Sequence, residues 1–192
     1  MLEEQKKENK KFLLVGLGNP GEKYKNTPHN IGREAVVYFA QKNNFPEFVI
    51  DKKSNSLKSI GEVSGSQTVL VLPQTFMNLS GLSVDTVISY GNMEIESLVV
   101  LHDDIDLPKG QIRLSLGRGS GGHKGVKSII DSLNTVGFLR LRIGVCPQTK
   151  PSESSDFVLS VQKVEEETLF KISEVLDGLI KFGLEKTMNK YN

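Results

Sequence analysis

Leu98, Val99, Val100 and Leu101 form an unbroken apolar run that ends abruptly in His102, Asp103 and Asp104. Side chains alternate faces along a strand, so such a run needs apolar cover on both sides. A sheet wetted on one face cannot supply it, and the run belongs in the middle of a sheet flanked by helices. Phe12, Leu13, Leu14 and Val15 make a second buried strand, leading into the turn-rich GLGNPG at 16–21. Ile31, Ala35, Val36, Phe39 and Ala40 then fall on one face of a helix expected from about 31 to 43. Leu82, Val84, Val87 and Ile88 mark another helix, with a stop at Gly91. Extended runs at 57–63 and 68–72, separated by Gly65 and Ser66, read as a hairpin. Residues 111–116 alternate polar and apolar, and 140–145 read as a further strand. The glycine-dense stretch 117–125 opens a helix at about 126–133, and a last helix is expected at about 164–184. Strands interleaved with helices specify an α/β fold: a three-layer α/β/α sandwich around a mixed, mostly parallel sheet, in a single domain.

A chain of 192 residues, 38% of them hydrophobic, supports one core of this kind. Residues 1–11 are charged and aperiodic, so they are expected as a flexible tail before a domain at 12–192. That polar start lacks the apolar core of a signal peptide, and no window approaches the ~20 apolar residues of a membrane span. A cytoplasmic protein with no membrane partner is expected. Cys146 is the single cysteine, which excludes an internal disulfide; it is expected as a small buried residue at a strand end. Residues 147–155, rich in Pro and Ser, read as a linker.

Gly16, Gly18 and Gly21 match a dinucleotide-binding fingerprint after a strand, but Pro20 interrupts it. No helix opens directly behind it, and no acid stands about 20 positions on. The glycines are better read as allowing positive φ in a tight turn. The 117–125 loop lacks the Lys-Ser/Thr register of a phosphate-binding P-loop, yet its backbone N–H groups before a helix are expected to favour an anion. Charge is unevenly spread. From 107 to 150 there are eight basic residues against one acid, Asp131, in a chain whose formal net charge is +1. One basic third in a near-neutral chain points to a polyanionic partner. In a doubly covered sheet, ligands sit beyond the carboxyl ends of the strands, which are followed here by Asn19, Met77 and Asn78, Asp103, and the 121–123 loop.

Three histidines each adjoin polar groups: His29 in TPHN at 27–30, His102 before two aspartates, and His123 in the glycine loop. A three-histidine metal site is conceivable, but no HxH or HxxxH spacing supports it. In order along the chain stand GLGNPG at 16–21, Tyr24, TPHN at 27–30, FMNLSG at 76–81, HDDIDLPKG at 102–110, GSGGHKG at 119–125 and RLRIGV at 140–145. Together they resemble the signatures of bacterial-type peptidyl-tRNA hydrolases, over about residues 12–160. The resemblance implies a monomeric, metal-independent esterase with no cofactor, acting on the acceptor stem and 3′ CCA end of peptidyl-tRNA. His29 matches the family's general base and Asp103 the carboxylate that orients it. Asn19 and Asn78 match substrate-positioning amides, and Tyr24 and Met77 match cleft-wall residues. His123 and Lys124 lie in a substrate-contacting motif, and Arg142 matches a phosphate clamp. His102 is expected to act behind these at most. Three positions depart from the pattern. Lys124 stands where Asn is usual, and Pro28 where Arg is common beside the base. Ser115 stands where a basic residue is common, leaving Arg113 as a substitute. The alternative is a catalytically silent RNA-binding protein on the same fold.

Overall fold

The computed structural model describes residues 10–148 and 154–192. Seven strands form one sheet in the order β2-β3-β4-β1-β5-β7-β6. They are β1 (Lys11–Gly16), β2 (Val49–Asp51), β3 (Ser56–Val63), β4 (Ser66–Pro73), β5 (Leu98–Pro108), β6 (Ile112–Leu116) and β7 (Leu139–Cys146). Strands β4, β1, β5 and β7 are mutually parallel, while the β2-β3, β3-β4 and β6-β7 pairs are antiparallel. The sheet is mixed, as expected. The β3-β4 hairpin turns on Ser64 and Gly65, both at positive φ, the conformation that matches a tight two-residue turn to strand twist.

Helices cover both faces. On one side, α1 (Ile31–Lys42) and α5 (Glu166–Phe182) close a core that includes Leu14, Phe39, Leu101, Leu141 and Leu176. On the other, α2 (Ser80–Gly91) and α3 (Lys124–Leu133) cover Leu13, Val15, Val71, Leu98 and Val100. Leu98 and Val100 thus face one layer and Val99 and Leu101 the other, the two-sided burial that the apolar run required. Two short helices complete the described chain, α4 (Ser154–Leu159) and α6 (Leu184–Tyr191).

The structure corrects several expectations. Strand β5 does not stop at Leu101 but runs on to Pro108, so Asp103 lies within a strand. Strand β1 already includes Lys11, and α3 begins at Lys124. The expected last helix is α5, ended at Gly183 at φ 84°, and α6 beyond it was not anticipated. Strand β2 and helix α4 were not anticipated: β2 is three residues long, and α4 follows a segment that reads as linker. Cys146 ends β7 as expected, although it is half-buried. The 1–11 tail, apart from its last two residues, and the middle of the 147–155 linker lie outside the described residues.

The first turn of α1 sits against the end of β5. A Cβ on Gly32 would stand 2.1 Å from the Leu101 carbonyl oxygen, and Leu17 N–H donates to that same oxygen at 3.0 Å. Backbone contact this close leaves no room for a methyl group. Gly32→Ala should therefore destabilise the fold by at least about 2 kcal/mol in urea unfolding, within the range for an overpacked site. Gly178→Ala in α5, whose added Cβ would meet nothing closer than 3.7 Å, should instead stabilise by up to about 1 kcal/mol through helix propensity. Equal effects of the two substitutions would show that the α1–β5 contact is not tight.

Candidate active site

A cleft of about 1310 Å³ opens at the end of the sheet where the loops after β1 and β4 meet the second half of β5. Asn19, His29, Met77, Asn78, Asp103, His123, Lys124 and Arg142 all line it, from positions 123 residues apart in the chain. The loop after β1 is fixed to α1 by Asn30. Its Oδ1 accepts from Asn19 N–H at 2.9 Å, and its Nδ2 donates to the Asn19 carbonyl at 3.0 Å. A Cβ on Gly16 would meet Gly32 O at 2.6 Å, and one on Gly18 would meet the Arg33 Cβ at 2.9 Å. Close approach to α1, rather than positive φ, is what requires these two glycines; only Gly21 of the three is at positive φ.

Asp103 is the centre of the polar cluster. It is buried, and its Oδ1 accepts from His29 Nδ1 at 2.8 Å and from His123 Nε2 at 2.9 Å. Burial works against its charge, but the two imidazoles and the hydrogen bonds they donate outweigh it, holding the carboxyl well below the usual range. His123 also caps α3: its Nδ1 accepts from Gly125 N–H at 3.1 Å and Val126 N–H at 3.2 Å. Its lone pair is thus committed to the helix, and its proton is on Nε2, facing Asp103. The imidazole thereby occupies the Gly125 and Val126 N–H groups, two of the first-turn donors that an anion at the α3 N-terminus would need. His29 has the opposite arrangement. Its Nδ1–H donates to Asp103, and Nε2, unpartnered among the described residues, is left on the cleft side.

His102 completes a row of three imidazoles, its ring centroid 4.8 Å from that of His123, which is itself 4.8 Å from that of His29. Its Nδ1–H donates to the Asp103 carbonyl at 2.7 Å, and its Nε2 is buried without a partner among the described residues. Burial pushes its pKa down to about 3. Ligand atoms of His29, Asp103 and His123 lie within 4.8 Å of one another, a grouping that could receive a metal ion. A cation there would have to displace two N–H donors from one carboxylate oxygen.

Asn19 Oδ1 accepts from Met77 N–H at 2.8 Å, which leaves its Nδ2 as the group free to act in the cleft. Asn78 is exposed on the turn that follows β4. Met77 is buried against the second core, its Sδ 2.3 Å from where a Gly125 Cβ would stand. Lys124 is exposed on the rim, with no ion pair among the described residues. Two expectations shift. Tyr24 is set back from the cleft, with its ring edge-on to Phe76, which does line it. Arg113 is not on the cleft wall; it stands opposite Arg142 on the neighbouring strand. Arg142 lines the cleft, but its Nε donates to Asp104 Oδ2 at 2.6 Å. Sequence reasoning missed Phe76, Asp104 and Arg140 as cleft residues. The alternation in RLR at 140–142 was the available signal, since it places Arg140 and Arg142 on one face.

The peptidyl-tRNA hydrolase family model matches residues 13–192. The chain is 43% identical to the peptidyl-tRNA hydrolase of Alkaliphilus oremlandii, covering 94% of this chain and 98% of that one. It is likewise 43% identical to that of Halalkalibacterium halodurans, over 94% and 99%. The chain belongs to the peptidyl-tRNA hydrolase family. The crystal structure of the Acinetobacter baumannii peptidyl-tRNA hydrolase superposes with a TM-score of 0.84 at 34% identity, over 94% of each chain. Among the described residues, no helix is long and apolar enough to cross a membrane.

The buried, neutral His102 has a consequence for stability. Its folded pKa lies below the unfolded value of about 6.5, so the unfolded chain takes up a proton that the folded one refuses. Stability is therefore lost as pH falls from about 6.5 toward 3. The depressed Asp103 carboxyl adds to the loss only below its unfolded value of about 3.9. Urea unfolding between pH 6 and 4.5 should show His102 contributing up to about 1.4 kcal/mol per pH unit. His102→Asn, which retains an N–H donor, should flatten the curve by about that slope. An unchanged slope would mean that His102 is not held neutral.

Proposed function

We propose that the chain hydrolyses the ester joining the peptide to the 3′-terminal ribose of peptidyl-tRNA, with His29 as the general base. The observation that carries this reading is the His29 Nδ1–Asp103 Oδ1 hydrogen bond of 2.8 Å, which leaves Nε2 as an acceptor on the cleft. An imidazole is suited to removing a proton from water near neutral pH, and a buried carboxylate on its other nitrogen stabilises the imidazolium that forms. The water oxygen adds to the ester carbonyl as its proton passes to His29 Nε2. The tetrahedral oxyanion receives hydrogen bonds from the free Nδ2 groups of Asn19 and Asn78. Collapse breaks the bond to the ribose oxygen, which takes the proton back from His29. Peptide acid and tRNA leave, and the side chains return to their starting state. The acceptor stem and CCA end are assigned to the cationic part of the cleft around Arg118, Lys124, Arg140 and Arg142.

His29→Ala should lower kcat on N-acetyl-aminoacyl-tRNA at least about 100-fold while leaving the affinity for deacylated tRNA within twofold. Near-parental turnover would end the assignment of the base, and no turnover by the unsubstituted chain would favour a silent RNA-binding protein. Lys124 sits at the first residue of α3, where a cation opposes the helix dipole, so its position is better explained by a contact to the RNA 3′ end than by stability. Lys124→Ala should raise KM at low salt, with kcat within a few-fold, and the difference should shrink as salt rises. A KM matching the parent at every salt concentration would remove the contact.

A further inference from the structure

Two arginines of β7, Arg140 and Arg142, face the cleft side by side, each with one hydrogen bond, but only that of Arg142 reaches a carboxylate. The Nε of Arg142 is held by Asp104, in an ion pair with both side chains largely buried. Arg140 is more deeply buried, at 3% exposure, and only its Nη1 is engaged, donating to the Gly119 carbonyl at 2.8 Å. Its Nε and Nη2 have no partner among the described residues. Ser115, directly opposite it on β6, also has a buried, unpartnered hydroxyl. A buried guanidinium with two idle donors is costly unless an acceptor reaches it. Burial lowers the Arg140 pKa, and the neighbouring charges of Arg142 and Arg118 lower it further against the single opposing carboxylate of Asp104. What this surplus of charge and donors lacks is an oxyanion. A neutral carbonyl now covers the guanidinium, carried on a loop whose Gly117, Gly121 and Gly122 are at positive φ with no atom near their Cβ positions.

We propose that Arg140, rather than Arg142, is the guanidinium that takes a phosphate, with the Ser115 hydroxyl as second donor and the Gly119 carbonyl as the group displaced. The ligand is a phosphate oxyanion. Its source is the RNA backbone if the substrate reading above holds, and this inference rests on that reading. A charge-assisted bidentate contact from Arg140, with the Ser115 hydroxyl as a further donor, holds the oxyanion without a second cation at position 115.

The test is a titration of the full chain with inorganic phosphate, followed by NMR of the arginine Nε–H resonances, with the Arg140 peak identified by its loss in Arg140→Lys. The Arg140 resonance should move saturably while that of Arg142, held by Asp104, stays nearly fixed. In kinetics, Arg140→Lys should raise KM for N-acetyl-aminoacyl-tRNA about tenfold, as expected for a lost charged hydrogen bond. Ser115→Ala, which is too small a change to threaten folding, should raise it about threefold. In both, the rise should be smaller on N-acetyl-aminoacyl-adenosine, an ester without phosphate, so the ratio of the two KM values should change. A resonance that does not move, or moves less than that of Arg142, overturns the proposal. A moving resonance with an unchanged KM ratio means an adventitious ion only and overturns it as well. Failure of the unsubstituted chain to hydrolyse either ester would instead overturn the hydrolase reading, leaving the titration to judge Arg140 by itself.

Discussion

The shared acceptor at Asp103 Oδ1 is the contact on which the rest of the cleft depends. A buried carboxylate left without partners costs several kcal/mol, so this strand position is tenable only while both imidazoles reach it. They arrive from opposite layers of the sandwich: His29 from the turn preceding α1, His123 from the cap of α3. The starts of two helices on different faces of the sheet are thereby tied to one oxygen. Glycines make the approach possible on both sides. Gly32 lets α1 touch the end of β5, and Gly125 leaves space for the Met77 sulfur beneath α3. Met77 N–H in turn holds the Asn19 amide, so the β1 and β4 loops join the same assembly.

Much of the architecture was legible in the sequence because burial leaves a periodic trace. The runs at 12–15 and 98–101 announced strands covered on both faces, and the spacing of Ile31, Ala35, Val36 and Phe39 announced α1. The elements missed are those whose pattern is too short or whose boundaries polar function obscures. Strand β2 has three residues, two of them exposed, and carries no burial signal. Strand β5 ran past its apolar segment because His102 and Asp103 are buried polar residues in strand geometry, which a hydrophobic pattern reads as an ending. The histidine–aspartate pairing was legible only through resemblance, since 74 residues separate the two side chains and no local spacing encodes their meeting. Arg140 escaped notice because sequence cannot show which of two neighbouring arginines is already paired with a carboxylate.

The cleft also divides by chemistry. Its cations come from β7 and from the loop and helix that follow β6, whereas Phe76 and Met77 come from the turn after β4, and Val158 and Leu159 from α4. An anionic RNA end and a peptide of varied side chains have different solvation needs, and a cleft with one charged and one apolar region can meet both. His29 lines the same cleft, together with His102 and His123.

Three identical side chains acquire three distinct states here, and in each case the partner of Nδ1 decides which. Where Nδ1 meets a carboxylate, in His29, the proton is drawn to that side and Nε2 is left as an acceptor on the cleft. Where Nδ1 meets helix N–H groups, in His123, the lone pair is consumed and Nε2–H becomes a fixed donor; protonating this ring would forfeit the cap of α3. Where Nδ1 meets a backbone carbonyl, in His102, the remaining nitrogen is buried and the ring stays neutral far into acid. The helix cap on His123 and the burial of His102 therefore fix the hydrogen bonding of two rings, and the His29 Nε2 is left as the acceptor on the cleft.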